Sequence, residues 1–274
     1  MRYIPGGLRN HSSEHGGVRI RGSPQHFNSY IDLVNADAVY PGGVRKYITD
    51  VLYYDEAELA RLGAPVDFIS NFGTSLNLVF EGDSLTAALS SSYPEYLRQL
   101  LAGSYVTKVS NLGQGGEGIS QILDSAETNA IDACIDSRFT KNIAVLWIGT
   151  NSLPGTDVET EIAALLAGTD TWCSGRLAAG FDHCVVLSLT PSANLAQGAN
   201  HEEARLAYNV LLRSNYTEFA DALVDIGADP IMGDYAQANS GPNFYYDSSK
   251  VHHSRGGWEI IASLVNTAIL ELAA

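Results

Sequence analysis

Basic residues are scarce in this chain: 16 Lys and Arg stand against 31 Asp and Glu in 274 residues, a formal net charge of −15. Nucleic-acid binding needs clustered Lys and Arg to displace counterions from phosphates, so the balance argues against that class of partner. An anionic membrane surface is an equally poor match. Cysteine is sparse as well. Cys134, Cys173 and Cys184 cannot close a disulfide framework, and no C-x-x-C spacing provides for zinc or dithiol chemistry. They read as buried thiols, with a single Cys173–Cys184 bridge as the alternative. No apolar run approaches the ~18 residues of a membrane span. Met1 to Gly7 lacks the apolar stretch of a signal peptide, which leaves the compartment open. Apolar side chains, by contrast, are plentiful at 45%, and charged ones make up 17%, so the chain can bury a sizeable core. The length suits one large α/β domain with an extension. Asn10-His11-Ser12 and Asn215-Tyr216-Thr217 fit the glycosylation sequon, a triplet that also arises by chance.

Residues 1–73 differ in character from residues 74–274. The first segment is rich in Gly, Pro, His and Arg, with a strand-like run at Tyr47–Tyr54 and a short helical pattern from Asp55 to Leu62 closed by Gly63. Tyr40-Pro41-Gly42-Gly43 loosely echoes the Pro5-Gly6-Gly7 string near the start, too briefly to define a repeat. We read this segment as a small accessory region. From residue 76 strands and helices alternate. Strands are expected at Leu76–Phe80, Tyr105–Val109, Ile143–Ile148, Cys184–Leu189 and Ala222–Ile226. Helices are expected through Tyr96–Leu101, Ile119–Ile135, Val158–Ala167, Glu202–Phe219 and Trp258–Leu272. Ile143 to Ile148 is unbroken and apolar, the mark of a sheet covered on both faces. The alternation predicts a three-layer α/β/α sandwich around a five-stranded parallel sheet, with ligands bound at the carboxyl ends of its strands.

The loops at those carboxyl ends carry four blocks. Glu81-Gly82-Asp83-Ser84-Leu85 follows the first strand, and Asn111-Leu112-Gly113-Gln114-Gly115-Gly116 the second. Gly149-Thr150-Asn151 follows the third, and Asp247 precedes His252 before the last helix. Taken together they resemble the SGNH (GDSL) hydrolase family, whose blocks are Gly-Asp-Ser, a glycine in an Asn-initiated loop, Gly-x-Asn, and Asp…His. The resemblance covers residues 76–274 and implies a flavodoxin-like sheet and a serine esterase that needs no metal or organic cofactor. Any single block is commonplace: a serine after a strand is usually a turn former, and an asparagine often merely ties a loop. The order of all four sets this chain apart.

Each block answers a chemical need. A serine hydroxyl becomes a nucleophile only when a base within hydrogen-bond reach takes its proton. The resemblance implies Ser84 as nucleophile, His252 as base and Asp247 as the carboxylate that orients the imidazole. It also implies an oxyanion hole from the Ser84 N–H, the Gly116 N–H and the Asn151 carboxamide. Two departures stand out. The family spacing is Asp-x-x-His, whereas Ser249 lies three before His252 and Asp247 five before, which suggests a two-residue bulge in the loop. The third block continues with Ser152 where an Asp often stands. His253 is the rival base; the His-x-Ser/Thr-x-x-Gly-aromatic register favours His252.

Other motifs fall short of their chemistry. Gly113-Gln114-Gly115-Gly116-Glu117-Gly118 satisfies G-x-G-x-x-G, but the following strand ends Trp147-Ile148-Gly149 with no acid to hold a ribose. His201-Glu202-Glu203 opens like a zinc helix and lacks the second His. No G-x-S-x-G nucleophile elbow exists. The expected partner is a small ester or an acetylated glycan, with Asn243-Phe244-Tyr245-Tyr246 and Ser192-Ala193-Asn194 suited to sugar contacts. The alternatives are a lipase, lysophospholipase or thioesterase of the same family, or a glycan-binding or virion-appendage module that has kept only the fold.

Overall fold

The computed structural model describes residues 8–11, 17–20, 26–27, 74–87, 92–102, 104–154 and 156–274. The strand expected at Tyr47–Tyr54, the helix at Asp55–Leu62 and the echo at residue 40 lie outside the described residues. So does Gly103, the expected helix stop. Near the amino end, β1 (Leu8–His11), β2 (Gly17–Ile20) and β3 (His26–Phe27) form a small antiparallel sheet in that order, Leu8 pairing with Ile20 and Val18 with Phe27.

The remaining strands are β4 (Ser75–Gly82), β5 (Val106–Asn111), β6 (Lys141–Trp147), β7 (His183–Leu187) and β8 (Ala222–Val224). They make one parallel sheet in the order β5-β4-β6-β7-β8, flanked by helices. Every residue of β4 is buried, as are six of the seven in β6, as expected of strands covered on both faces. Of the polar residues that this burial takes in, Asn77 donates its amide to the Cys134 carbonyl at 2.8 Å and to Asn142 Oδ1 at 2.8 Å, whereas both Glu81 carboxyl oxygens are buried without a partner among the described residues. The chain order reverses between β4 and β6, and a doubly wound sheet opens its ligand crevice at that switch point. Ser84 follows β4 and Asn151 follows β6.

The helices depart from the expected bounds for local reasons. Ile119–Ile135 is not one helix but two, α2 (Ile119–Ile122) and α3 (Ser125–Asp132), after α1 (Tyr93–Leu101). Asp124 breaks the run: its backbone is extended and its side chain accepts the Ala126 N–H, capping α3. In the other direction, α4 (Val158–Ala179) runs twelve residues beyond the expected Ala167, from an Asp157 cap to Gly180 in the left-handed region. α5 (His201–Asn215) yields to a 3-10 turn at Tyr216–Glu218. The short α6 (Tyr235–Asn239) precedes the closing α7 (Arg255–Ala273). No described helix is long and apolar enough to cross a membrane. Cys173 and Cys184 are buried free thiols, and Cys134 is a half-buried one.

Candidate active site

β4 delivers Ser84 through a turn that only glycine can start. At Gly82 φ is +153°, and a Cβ there would lie 2.2 Å from the Trp147 carbonyl oxygen. The Asp83 carbonyl then accepts the Thr86 and Ala87 N–H groups at 3.0 and 2.9 Å, and Asp83 Oδ1 accepts the Leu85 N–H at 2.8 Å. This tight turn leaves Ser84 half-buried while Asp83 and Leu85 are buried on either side.

The second block is held to the first by backbone hydrogen bonds. Leu112 N–H donates to the Phe80 carbonyl and Gln114 N–H to the Gly82 carbonyl, each at 2.8 Å. Asn111 closes its own loop, accepting from Gly113 N–H and donating to the Thr86 carbonyl at 2.7 Å. A Cβ on Gly115 would stand 3.8 Å from that of Ser84, so the loop passes beside the serine. Gly116 has φ +87° with open space around it, so conformation rather than crowding favours glycine there.

The third block is latched to the second. Asn151 donates one of its two amide hydrogens to the Glu117 carbonyl at 2.9 Å. Ser152, at the position where an Asp often stands in the family, accepts the Ile119 N–H at 2.9 Å and so joins the start of α2 to this loop. No signal in the sequence pointed to the Glu117 carbonyl, because a backbone acceptor is independent of residue type.

The fourth block lies across from Ser84. His252 Nε2 is 2.9 Å from Ser84 Oγ. The loop between Asp247 and His252 is closed by Asp247 N–H donating to the His252 carbonyl at 3.0 Å, with Lys250 at φ 61°, so the two extra residues form a compact bulge. Asp247 Oδ2 lies 4.0 Å from His252 Nδ1, an ion-pair separation rather than the expected hydrogen bond. Ser249 Oγ occupies the hydrogen-bonding position, 3.0 Å from Nδ1. Its place three residues before His252 was the available sequence signal. His253 points elsewhere. It is buried, its ring parallel to Trp147 with centroids 5.7 Å apart, and it meets Tyr246 and Trp258 edge-on. Burial and then the neighbouring His252 push it down to about 3, so it stays neutral.

Two carboxyls beside the turn are shifted the other way. Burial, reinforced by Glu127 and Glu117, pushes Glu81 up to about 8; burial pushes Asp83 up to about 7. Between about pH 4.5 and 8 the folded protein keeps a proton on Glu81 that the unfolded chain releases, so stability falls as pH rises across that window. Glu81→Gln removes this titration. The variant is expected to match the parent near pH 4 and to exceed it near pH 8 by on the order of 2–4 kcal/mol, since a tenfold change in proton affinity is worth about 1.4 kcal/mol. Thermal melts at several pH values check this; a difference that does not change with pH contradicts it.

The residues named for other roles are occupied. His201 is buried with Nδ1 2.7 Å from the Leu153 carbonyl oxygen, as a core histidine would be. Tyr246 is buried and donates to the Met232 carbonyl at 3.0 Å, and the Asn194 amide donates to the Ser249 carbonyl at 3.2 Å. Of the residues expected to face a sugar, Phe244 is the one that is well exposed, at 64%.

No known family profile matches the chain, and no curated protein does. Solved structures do. A gut microbial diltiazem-metabolizing enzyme superposes with a TM-score of 0.53 at 16% identity, over 71% of this chain and 47% of the other. A proposed platelet activating factor from Streptococcus pneumonia gives 0.51 at 16% identity, over 87% and 97%. A variant of an acetyl-xylooligosaccharide esterase from Geobacillus gives 0.50 at 14% identity, over 74% and 96%. The chain shares with these structures the fold of a parallel sheet flanked by helices. At these identities the likeness is one of fold.

Proposed function

We propose that this chain is a serine esterase of the SGNH (GDSL) type that hydrolyses short-chain carboxylic esters, foremost O-acetyl groups on carbohydrate. The observation that carries the reading is the 2.9 Å approach of Ser84 Oγ to His252 Nε2 at the switch point of a parallel sheet. Ser84 Oγ attacks the ester carbonyl carbon while its proton passes to Nε2, and the carbonyl electron pair moves onto oxygen. The Ser84 N–H, the Gly116 N–H and the free amide hydrogen of Asn151 receive that oxyanion. Loss of one such donor typically costs about 3–4 kcal/mol in the transition state. The imidazolium then protonates the departing alcohol, and water repeats the sequence to release the acid.

Openness supports a small polar substrate. The His252 and Asp247 side chains are 40% and 44% exposed, so the alcohol part of the ester stays in contact with water. The esterase among the structural neighbours acts on acetyl-xylooligosaccharides, which favours the carbohydrate acetyl ester over a lipid. A panel of acetyl, butyryl and longer acyl esters of sugars and simple alcohols tests the reading. Acetylated oligosaccharides are expected to give the highest kcat/KM. Preference for long acyl chains would replace it by a lipase, and no turnover of any ester by a binding module.

A further inference from the structure

We propose that Ser249 is a positioning residue that joins Asp247 to His252, so that the acid acts on the imidazole through a hydroxyl. The inference rests on the esterase reading above and adds a member to its machinery.

The hydrogen-bond inventory at Ser249 Oγ carries it. Asp247 Oδ1 accepts from this hydroxyl and also from the Ser249 N–H at 2.8 Å. An ionised carboxylate only accepts, so the single Ser249 hydroxyl proton is committed to Asp247. With that proton spent the hydroxyl oxygen can only accept, and its two lone pairs are shared among three nitrogens on its other side. These are His252 Nδ1 at 3.0 Å, the His252 N–H at 3.0 Å and the Val251 N–H at 3.2 Å. Nδ1 therefore carries a hydrogen, and Nε2 presents its lone pair to Ser84. That is the tautomer a general base needs, and a hydroxyl free to turn would not enforce it. No proton crosses the relay: Nδ1–H and the Ser249 hydroxyl proton stay in place while the Ser84 proton moves to Nε2. When the imidazolium forms, Ser249 is polarised between it and the carboxylate, and the 4.0 Å ion pair adds its attraction.

The surroundings prepare Ser249 for this task. The Asn194 amide holds its carbonyl, and Ala193 N–H holds that of Lys250 at 3.0 Å, so the bulge is pinned from the loop after β7. His253, the neighbouring titratable group, stays neutral, and the Lys250 ammonium is drawn to Asn239 Oδ1 at 3.5 Å.

The test compares Ser249→Ala, Ser249→Thr, Asp247→Ala and the Ser249→Ala/Asp247→Ala pair, with Ser84→Ala as control. Ser249→Ala is expected to lower kcat by about a hundredfold at unchanged KM, because the tautomer is no longer imposed. Ser249→Thr, which keeps the hydroxyl, should recover to within about fivefold of the parent. The double variant should be no worse than Ser249→Ala alone, since residues acting in series do not lose activity twice. Nitrogen-15 NMR of the unaltered protein needs no variant to fold: neutral His252 should be the Nδ1–H form. Full kcat in Ser249→Ala beside a crippled Asp247→Ala would overturn the relay and leave the esterase intact. So would multiplicative losses in the double variant, or an Nε2–H signature. An active Ser84→Ala would overturn both the relay and the site it serves.

Discussion

Ser84→Ala is expected to lower ester turnover by about 10⁴-fold or more while leaving the melting temperature close to the parent's. The reason is chemical. A methyl group has no proton to give and no lone pair to form the acyl bond, so the remaining rate comes from the oxyanion donors acting on attack by water. The fold should not notice. Ser84 is half-buried, the turn that holds it is closed by Asp83 and Gly82, and its hydroxyl bonds the partly exposed His252. A serine-directed organophosphonate should label the parent at a single site and the variant not at all. Labelling that persists in Ser84→Ala would move the nucleophile elsewhere and remove the proposed mechanism.

His252→Ala and His253→Ala should fail in opposite ways, although the residues are adjacent. His252→Ala should nearly equal Ser84→Ala in lost kcat, because nucleophile and base act as a unit. Its side chain is 40% exposed, so stability should change little. His253→Ala should keep most of its activity per folded molecule and lose about 2–4 kcal/mol of stability, the usual cost of emptying a buried site. Its ring fills the space among Trp147, Tyr246 and Trp258, and Nε2 lies 3.3 Å from Thr190 Oγ1. In a protein of this size that loss lowers the melting temperature by roughly 5–15 °C. The buried neutral imidazole has a pH signature as well. Its pKa is held low in the fold, so stability falls as pH drops below about 6.5, where the unfolded chain takes up the proton; the variant should lose that slope. Activity in His252→Ala with none in folded His253→Ala would shift the last block by one residue.

The sheet was legible because its strands are written as apolar runs bounded by Gly and polar residues. Ile143 to Ile148 could hardly be anything but a covered strand, and β6 takes in all of it but Ile148. The helices were less legible. A period of 3.6 runs across Leu123 and Asp124 without a gap, yet one side-chain hydrogen bond from a cap outweighs it. The extent of α4 was hidden by Thr169 and Thr171, which lower local helix propensity; within the helix their hydroxyls bond back to the Leu165 and Ala167 carbonyls.

The sequence by itself determined which chemistry could be present: a Gly-Asp-Ser turn after an apolar strand, an Asn-led glycine loop, a Gly-x-Asn, and a histidine before the last helix, in an order that suits a sheet whose strand ends converge. Residue type and chain order are enough for that, because turn geometry and strand alternation are local. Only the tertiary structure decided which of two adjacent histidines faces Ser84, since a step of one residue turns one ring into an aromatic core and the other toward the serine. It alone separated Asp247 from the ring by 4.0 Å and put Ser249 between them, because the path of a bulged loop depends on what pins it, here Asn194 in the loop after β7. And it alone raised the Glu81 and Asp83 carboxyls above the usual carboxylate range, since their burial comes from packing that no single stretch of sequence contains.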